Sequence, residues 1–121
     1  MPLLERGGEL AIEGVALGAI AGRFGTPCYV YSKAALVDAF SQYRAAFGDR
    51  DHLILYAVKA NSNLAILKLL ADLGCGFDMV PGGDLPRVLA PGPDPARIVF
   101  SGVGKSRGDI EQALAARILC F

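Results

Sequence analysis

Apolar positions along the chain follow two alternating patterns. Continuous apolar runs at Leu53 to Val58 (Leu-Ile-Leu-Tyr-Ala-Val), Phe77 to Val80, Arg97 to Phe100 and Arg117 to Phe121 predict strands. Cys28 to Tyr31, after Gly25-Thr26-Pro27, predicts a shorter one. Between the runs the apolar positions recur three or four apart. Leu36, Phe40, Tyr43 and Phe47 form one stripe of a helix, capped by Ser32 and ended by Gly48. A second helix, capped by Asn61 or Ser62, reaches Leu73; Lys68 and Asp72 are its only charges, which predicts burial of most of its surface. A third covers about Leu85 to Ala90, with Pro86 tolerated in its first turn, and Pro91 to Pro95 must be a loop. Ser106 with Asp109 resembles a capping box and starts a helix to about Ala116.

This alternation predicts an α/β fold with a parallel sheet. Its unbroken apolar runs suit strands covered on both faces. The first 25 residues are Gly-rich and differ in texture from the rest. Composition adds one puzzle. Of 121 residues, 53% are hydrophobic and only 20% charged, too apolar for disorder and rather apolar for a small solvated domain. A piece of a larger barrel or sheet would show such an excess.

Lys plus Arg balance Asp plus Glu at 12 each, so bulk charge favours neither nucleic acid nor an anionic membrane as partner. The longest apolar stretch, Leu10 to Ala21, is broken by Glu13 and followed by Arg23, too short and interrupted to span a bilayer. No secretory leader is expected. The three cysteines, Cys28, Cys75 and Cys120, read as reduced buried thiols of a cytoplasmic protein. With His52 the only histidine, no metal site is expected.

The strongest candidate for chemistry is Lys59, in Tyr56-Ala57-Val58-Lys59-Ala60-Asn61. It falls at the C-terminal end of an apolar strand, where open α/β sheets and β/α barrels alike bind ligands. There a partly buried amine can attack an aldehyde and form a Schiff base. The plainer reading is a lysine reaching out to solvent. Gly104-Lys105-Ser106 is no P-loop, because position 99 holds Val99 where that motif needs glycine.

Four segments, in order, carry a resemblance. Tyr56 to Asn63 resembles the cofactor-lysine motif of the pyridoxal-phosphate decarboxylases with an alanine-racemase-type barrel. Gly25 to Tyr31, Gly76 to Leu85, and Phe100 to Ser106 are similar to further motifs of that family. Ala60-Asn61-Ser62-Asn63 and Phe100 to Lys105 resemble its diaminopimelate branch more than its ornithine and arginine branches. The resemblance runs from about Glu9 to Phe121.

It implies a (β/α)8 TIM-type barrel, of which this chain would hold the first three β/α units and part of a fourth strand. Residues 1–32 would be an N-terminal segment of strand and short helix on the side of the family's β-domain, and 33–121 a partial cofactor-binding barrel. Lys59 would hold pyridoxal 5'-phosphate as a Schiff base. Asp78 would lie near that amine, and Ala57 would leave room for the cofactor ring. Plainer roles are a loop-capping aspartate for Asp78 and core packing for Ala57. The implied reaction takes meso-diaminopimelate, a small amino acid, to L-lysine and CO2 in a homodimeric full-length enzyme. Other cofactor and substrate groups of the family fall beyond Phe121, so this chain alone is expected to be incomplete and inactive, and to expose sheet edges and apolar faces. Two positions depart from the family pattern: Pro81 stands where a hydroxyl is usual, and Asp84 where Glu is usual. Asp84 is expected to be only a helix cap.

Overall fold

A computed structural model describes residues 3–80 and 83–121, and for Arg6 the backbone only. The chain divides into two compact units, residues 1–48 and 49–121.

The first unit starts with an antiparallel meander: β1 (Leu3–Arg6), β2 (Glu9–Ile12) and β3 (Val15–Ala16). Its turns are two-residue hairpins. Gly7 and Gly8 have φ of 60° and 82°, Glu13 and Gly14 of 52° and 84°, the positive pairs that a hairpin turn matching the strand twist requires. Helix α1 (Leu17–Phe24) packs on β2 and β3. Where a segment of strand and short helix is expected before residue 33, the described residues hold three short strands and a helix.

Cys28 to Tyr31 is a correction: it forms no strand. Its β-favouring residues find no ladder partner among the described residues. Tyr29 is 92% exposed and its ring stacks on that of Tyr31 instead, with centroids 6.5 Å apart.

Helix α2 (Lys33–Phe47) follows, with Ser32 as N-cap and Gly48 as C-cap, as the spacing predicts. A carboxylate secures its start. Glu13 Oε1 accepts from Ser32 Oγ at 2.5 Å and from the Ala34 amide at 2.7 Å, while Ser32 Oγ accepts from the Ala35 amide at 3.0 Å. Of the predicted stripe only Phe40 is buried; Tyr43 and Phe47 are exposed.

The second unit is a parallel three-stranded sheet, β4 (Leu55–Ala57), β5 (Gly76–Met79) and β6 (Ile98–Phe100), in that order. Helices α3 (Leu64–Asp72) and α4 (Asp84–Leu89) make the crossovers, and α5 (Arg107–Ala116) follows β6. Of the expected fourth strand there is one parallel bridge, Val99 to Cys120. Leu119 N–H donates to Ile98 and Phe100 N–H to Cys120, while Arg117, at φ 58°, caps α5.

Strand parity separates two faces. Phe77, Met79, Ile98 and Phe100 are fully buried, in a core shared with Val58, Leu67 of α3 and Val88 of α4. Each such side chain contributes about 1.5–3 kcal/mol by leaving water. The opposite parity holds Leu55, Ala57, Asp78 and Val99, all partly exposed. Cover on both faces was expected; among the described residues only one face is covered. The cysteines also differ from expectation, since Cys75 is buried but Cys28 and Cys120 are exposed. No helix among the described residues is long and apolar enough to cross a membrane.

Candidate functional site

The apolar run ending in Val58 is strand only as far as Ala57. It then tightens into a 3-10 turn, Val58–Ala60, with Lys59 at its centre. Val58 is wholly buried and roots this turn, which packs against β5. Lys59 itself is exposed rather than partly buried, and its ammonium has no protein partner among the described residues.

Ala57 and Asp78 are register partners across β4 and β5, and Asp78 pairs in turn with Val99 of β6. These three residues therefore form one row across the sheet, at the strand ends that deliver Lys59. Asp78 Oδ1 is buried yet accepts no hydrogen bond among the described residues. A buried acceptor left open costs about 1–3 kcal/mol, so it marks a place where a donor belongs. The plainer role, capping of a loop, has no hydrogen bond among the described residues.

Beyond Lys59 the chain is tied down by polar groups, of which the sequence pattern marked only Asn61, and that as a helix cap. The Tyr56 hydroxyl donates to the Asn61 carbonyl at 3.2 Å. Asn61 Oδ1 accepts from the Asn63 amide at 2.9 Å, and Asn63 Oδ1 accepts from the Ala65 amide at 2.9 Å. The cap of α3 is thus Asn63, not Asn61 or Ser62. The Asn-x-Asn spacing, which favours successive side-chain turns, was the signal for it.

At the end of β6, Ser101 bonds back to the Met79 carbonyl through its amide (2.9 Å) and its hydroxyl (3.3 Å). Lys105 lies over the Phe100 ring at 5.1 Å and donates to the Gly102 carbonyl. The start of α5 is closed by its own capping box: Asp109 accepts from Ser106 N and Oγ, and Ser106 Oγ accepts from Asp109 N. This holds the Asp109 carboxyl below the usual carboxylate range, chiefly through the Ser106 hydroxyl. Asp84 is a correction: it is the first residue of α4, and its cap is Gly83 at φ 84°. Pro81 lies outside the described residues.

A parallel β/α sheet here presents an exposed amine at its strand ends and, among the described residues, an open carboxylate oxygen, an arrangement able to engage a ligand of the carbonyl class. The comparisons make that class specific. The family described as "Pyridoxal-dependent decarboxylase, pyridoxal binding domain" matches residues 33–121, and the chain belongs to this family. It is 55% identical over 116 residues to a diaminopimelate decarboxylase of Pseudomonas aeruginosa, covering 96% of this chain and 28% of that protein. A crystal structure from Aquifex aeolicus superposes with a TM-score of 0.92 at 48% identity, over 98% of this chain and 29% of the other. The diaminopimelate decarboxylase of M. jannaschii, in complex with L-lysine, gives 0.89 at 34% identity, over 97% of this chain and 28% of the other. The chain therefore spans about 28% of the length of the curated relatives it matches.

The residues present fit a pyridoxal group. Lys59 supplies a primary amine that no group among the described residues engages, as a carbonyl partner needs. Asp78 Oδ1 supplies a buried acceptor without a donor among the described residues, and Ala57 beside it adds only a methyl group to that row.

Proposed function

We propose that this chain is the N-terminal part of a diaminopimelate decarboxylase that takes meso-diaminopimelate to L-lysine and CO2, with pyridoxal 5'-phosphate held at Lys59. The observation that carries this reading is the open amine of Lys59 beyond the row of Ala57 and Asp78, in a chain of this family. The curated relatives named diaminopimelate decarboxylase support the substrate.

When bound, the cofactor supplies an electron sink for the carbon that loses CO2. The chain's own residues have simpler tasks. Lys59 Nζ would hold the cofactor through its carbonyl carbon, with the carbonyl oxygen leaving as water. Asp78 Oδ1 accepts a hydrogen bond from an amine or ammonium group at the same strand ends. Ala57 leaves the neighbouring space empty. The same reading takes residues 1–32 as a segment on the side of the β-domain and 33–121 as the start of a (β/α)8 barrel with a fourth strand at its end. The whole enzyme is then a cytoplasmic homodimer that acts on small amino acids. Release of CO2 from meso-diaminopimelate, L-ornithine and L-arginine by the whole enzyme tests the substrate. Turnover of meso-diaminopimelate alone supports the reading, and preference for ornithine or arginine moves the chain to those branches.

A further inference from the structure

The structure assigns Tyr56 as the positioning residue of Lys59: its hydroxyl, bonded to the Asn61 carbonyl, straps the turn that carries the lysine. This rests on Lys59 being the cofactor lysine. The residues between the two ends of the strap, Ala57 to Ala60, are the last of β4 and the whole 3-10 turn. A 3-10 turn has poorer hydrogen-bond geometry than an α-helix, and a turn this short does not hold its own shape. Here it is held from three sides. Val58, wholly buried, anchors its start. Tyr56 Oη closes it by donating to Asn61 O at 3.2 Å. Asn61 Oδ1 then fixes the exit by accepting from Asn63 N at 2.9 Å. Lys59 stands between these ties with a long flexible side chain and no partner among the described residues. The strap therefore sets where the Lys59 Cα sits and which way its stem leaves the sheet, which governs how often the amine reaches a carbonyl carbon at the strand ends. Tyr56 is assigned this role through the backbone carbonyl it bonds, not through a contact with the cofactor.

The test compares Tyr56→Phe, which keeps the ring and removes only the strap's donor, with wild type and with Tyr43→Phe, which alters an exposed tyrosine of the first unit. Each whole protein is incubated with pyridoxal 5'-phosphate, reduced with borohydride at set times and mapped by mass spectrometry. The readout is labelling of Lys59 relative to the exposed Lys33 and Lys68 in the same sample. Unfolding would also erase a preference for Lys59, so each variant is first shown by circular dichroism to be folded under the labelling conditions, and a lowered ratio in a folded variant reports loss of positioning. With one hydrogen bond at stake, Tyr56→Phe is expected to lower the ratio about fivefold, and Tyr43→Phe to leave it unchanged. Asn61→Ala, which removes the second tie, is expected to lower it also and serves if Tyr56→Phe fails to fold. A preferred wild-type label at Lys59 with the ratio unchanged in both strap variants overturns the proposal alone. No preference for Lys59 in wild type overturns the reading beneath it, and the proposal with it.

Discussion

Ala57 and Asp78 face each other in register across the first two parallel strands of the sheet, and the chain reaches Lys59 two residues after Ala57. A methyl side chain thus sits beside a carboxylate whose Oδ1 is buried without a donor among the described residues. The arrangement costs stability and gains a place for a positively charged or N–H group. Asp78→Val replaces the open acceptor with a β-branched residue suited to a strand. It is expected to raise folding stability by about 1 kcal/mol or more and to weaken pyridoxal phosphate binding. Denaturant unfolding and a cofactor titration on the same protein check both halves. A variant that is less stable and binds as well as wild type would contradict this role for Asp78.

Gly76 makes the sheet possible at its other end. A Cβ there would lie 2.3 Å from the Arg97 carbonyl oxygen and 2.6 Å from Leu55 Cδ2. The first neighbour is backbone of the residue just before β6 and cannot rotate away. Gly76→Ala is expected to cost about 1–3 kcal/mol or more by forcing β5 and β6 apart. Urea unfolding monitored on the second unit measures it.

Acid should loosen the start of α2. The Ser32 hydroxyl first, then the Ala34 amide and the nearby Lys33, hold the Glu13 carboxyl below its usual value of 4.5 against a small desolvation effect. Because the folded value is the lower one, this contribution is fully present above about pH 4.5. It disappears as pH falls through the folded value. Exchange of the Ala34 and Ala35 amides should therefore accelerate on acidification in wild type, relative to intrinsic rates. In Glu13→Gln that pH dependence should vanish.

The thiols should react in two classes. Burial pushes the Cys75 thiol up to about 11, with a backbone hydrogen bond at Tyr56 and the Arg97 charge only partly opposing. Cys28 and Cys120 are exposed. At pH 8, alkylation should modify Cys28 and Cys120 in the folded protein and Cys75 only on unfolding. Peptide mapping after timed quenching distinguishes the classes.

Much of this architecture is legible in the residues, and the parts that are not share a cause. Ser32 to Gly48 and Ser106 to Asp109 carry their helix signals locally, in a cap side chain and a stop, so both helices stand where the spacing puts them. Lys59 is legible because a strand end is a local feature too. The meander of residues 3–16 was missed, although Gly7-Gly8 and Glu13-Gly14 are hairpin turns, because strands of two to four residues show too little alternation. Cys28 to Tyr31 failed the other way: β-branched and aromatic residues favour extended chain, but a strand needs a partner that no local pattern announces. At the site, Asp78 is visible as a strand-end acid, yet its missing donor and its pairing with Ala57 depend on register between segments twenty residues apart. The Tyr56 strap belongs to the same class, since its acceptor is a backbone carbonyl and leaves no mark in the side-chain pattern.

The central claim is that Lys59 is the lysine that takes the cofactor. Incubation of the whole protein with pyridoxal 5'-phosphate, borohydride reduction and peptide mapping tests it most directly. The account predicts one dominant adduct on Lys59, which disappears in Lys59→Ala without transfer to Lys68 or Lys105. Labelling spread over several lysines, with no preference for Lys59, would contradict it.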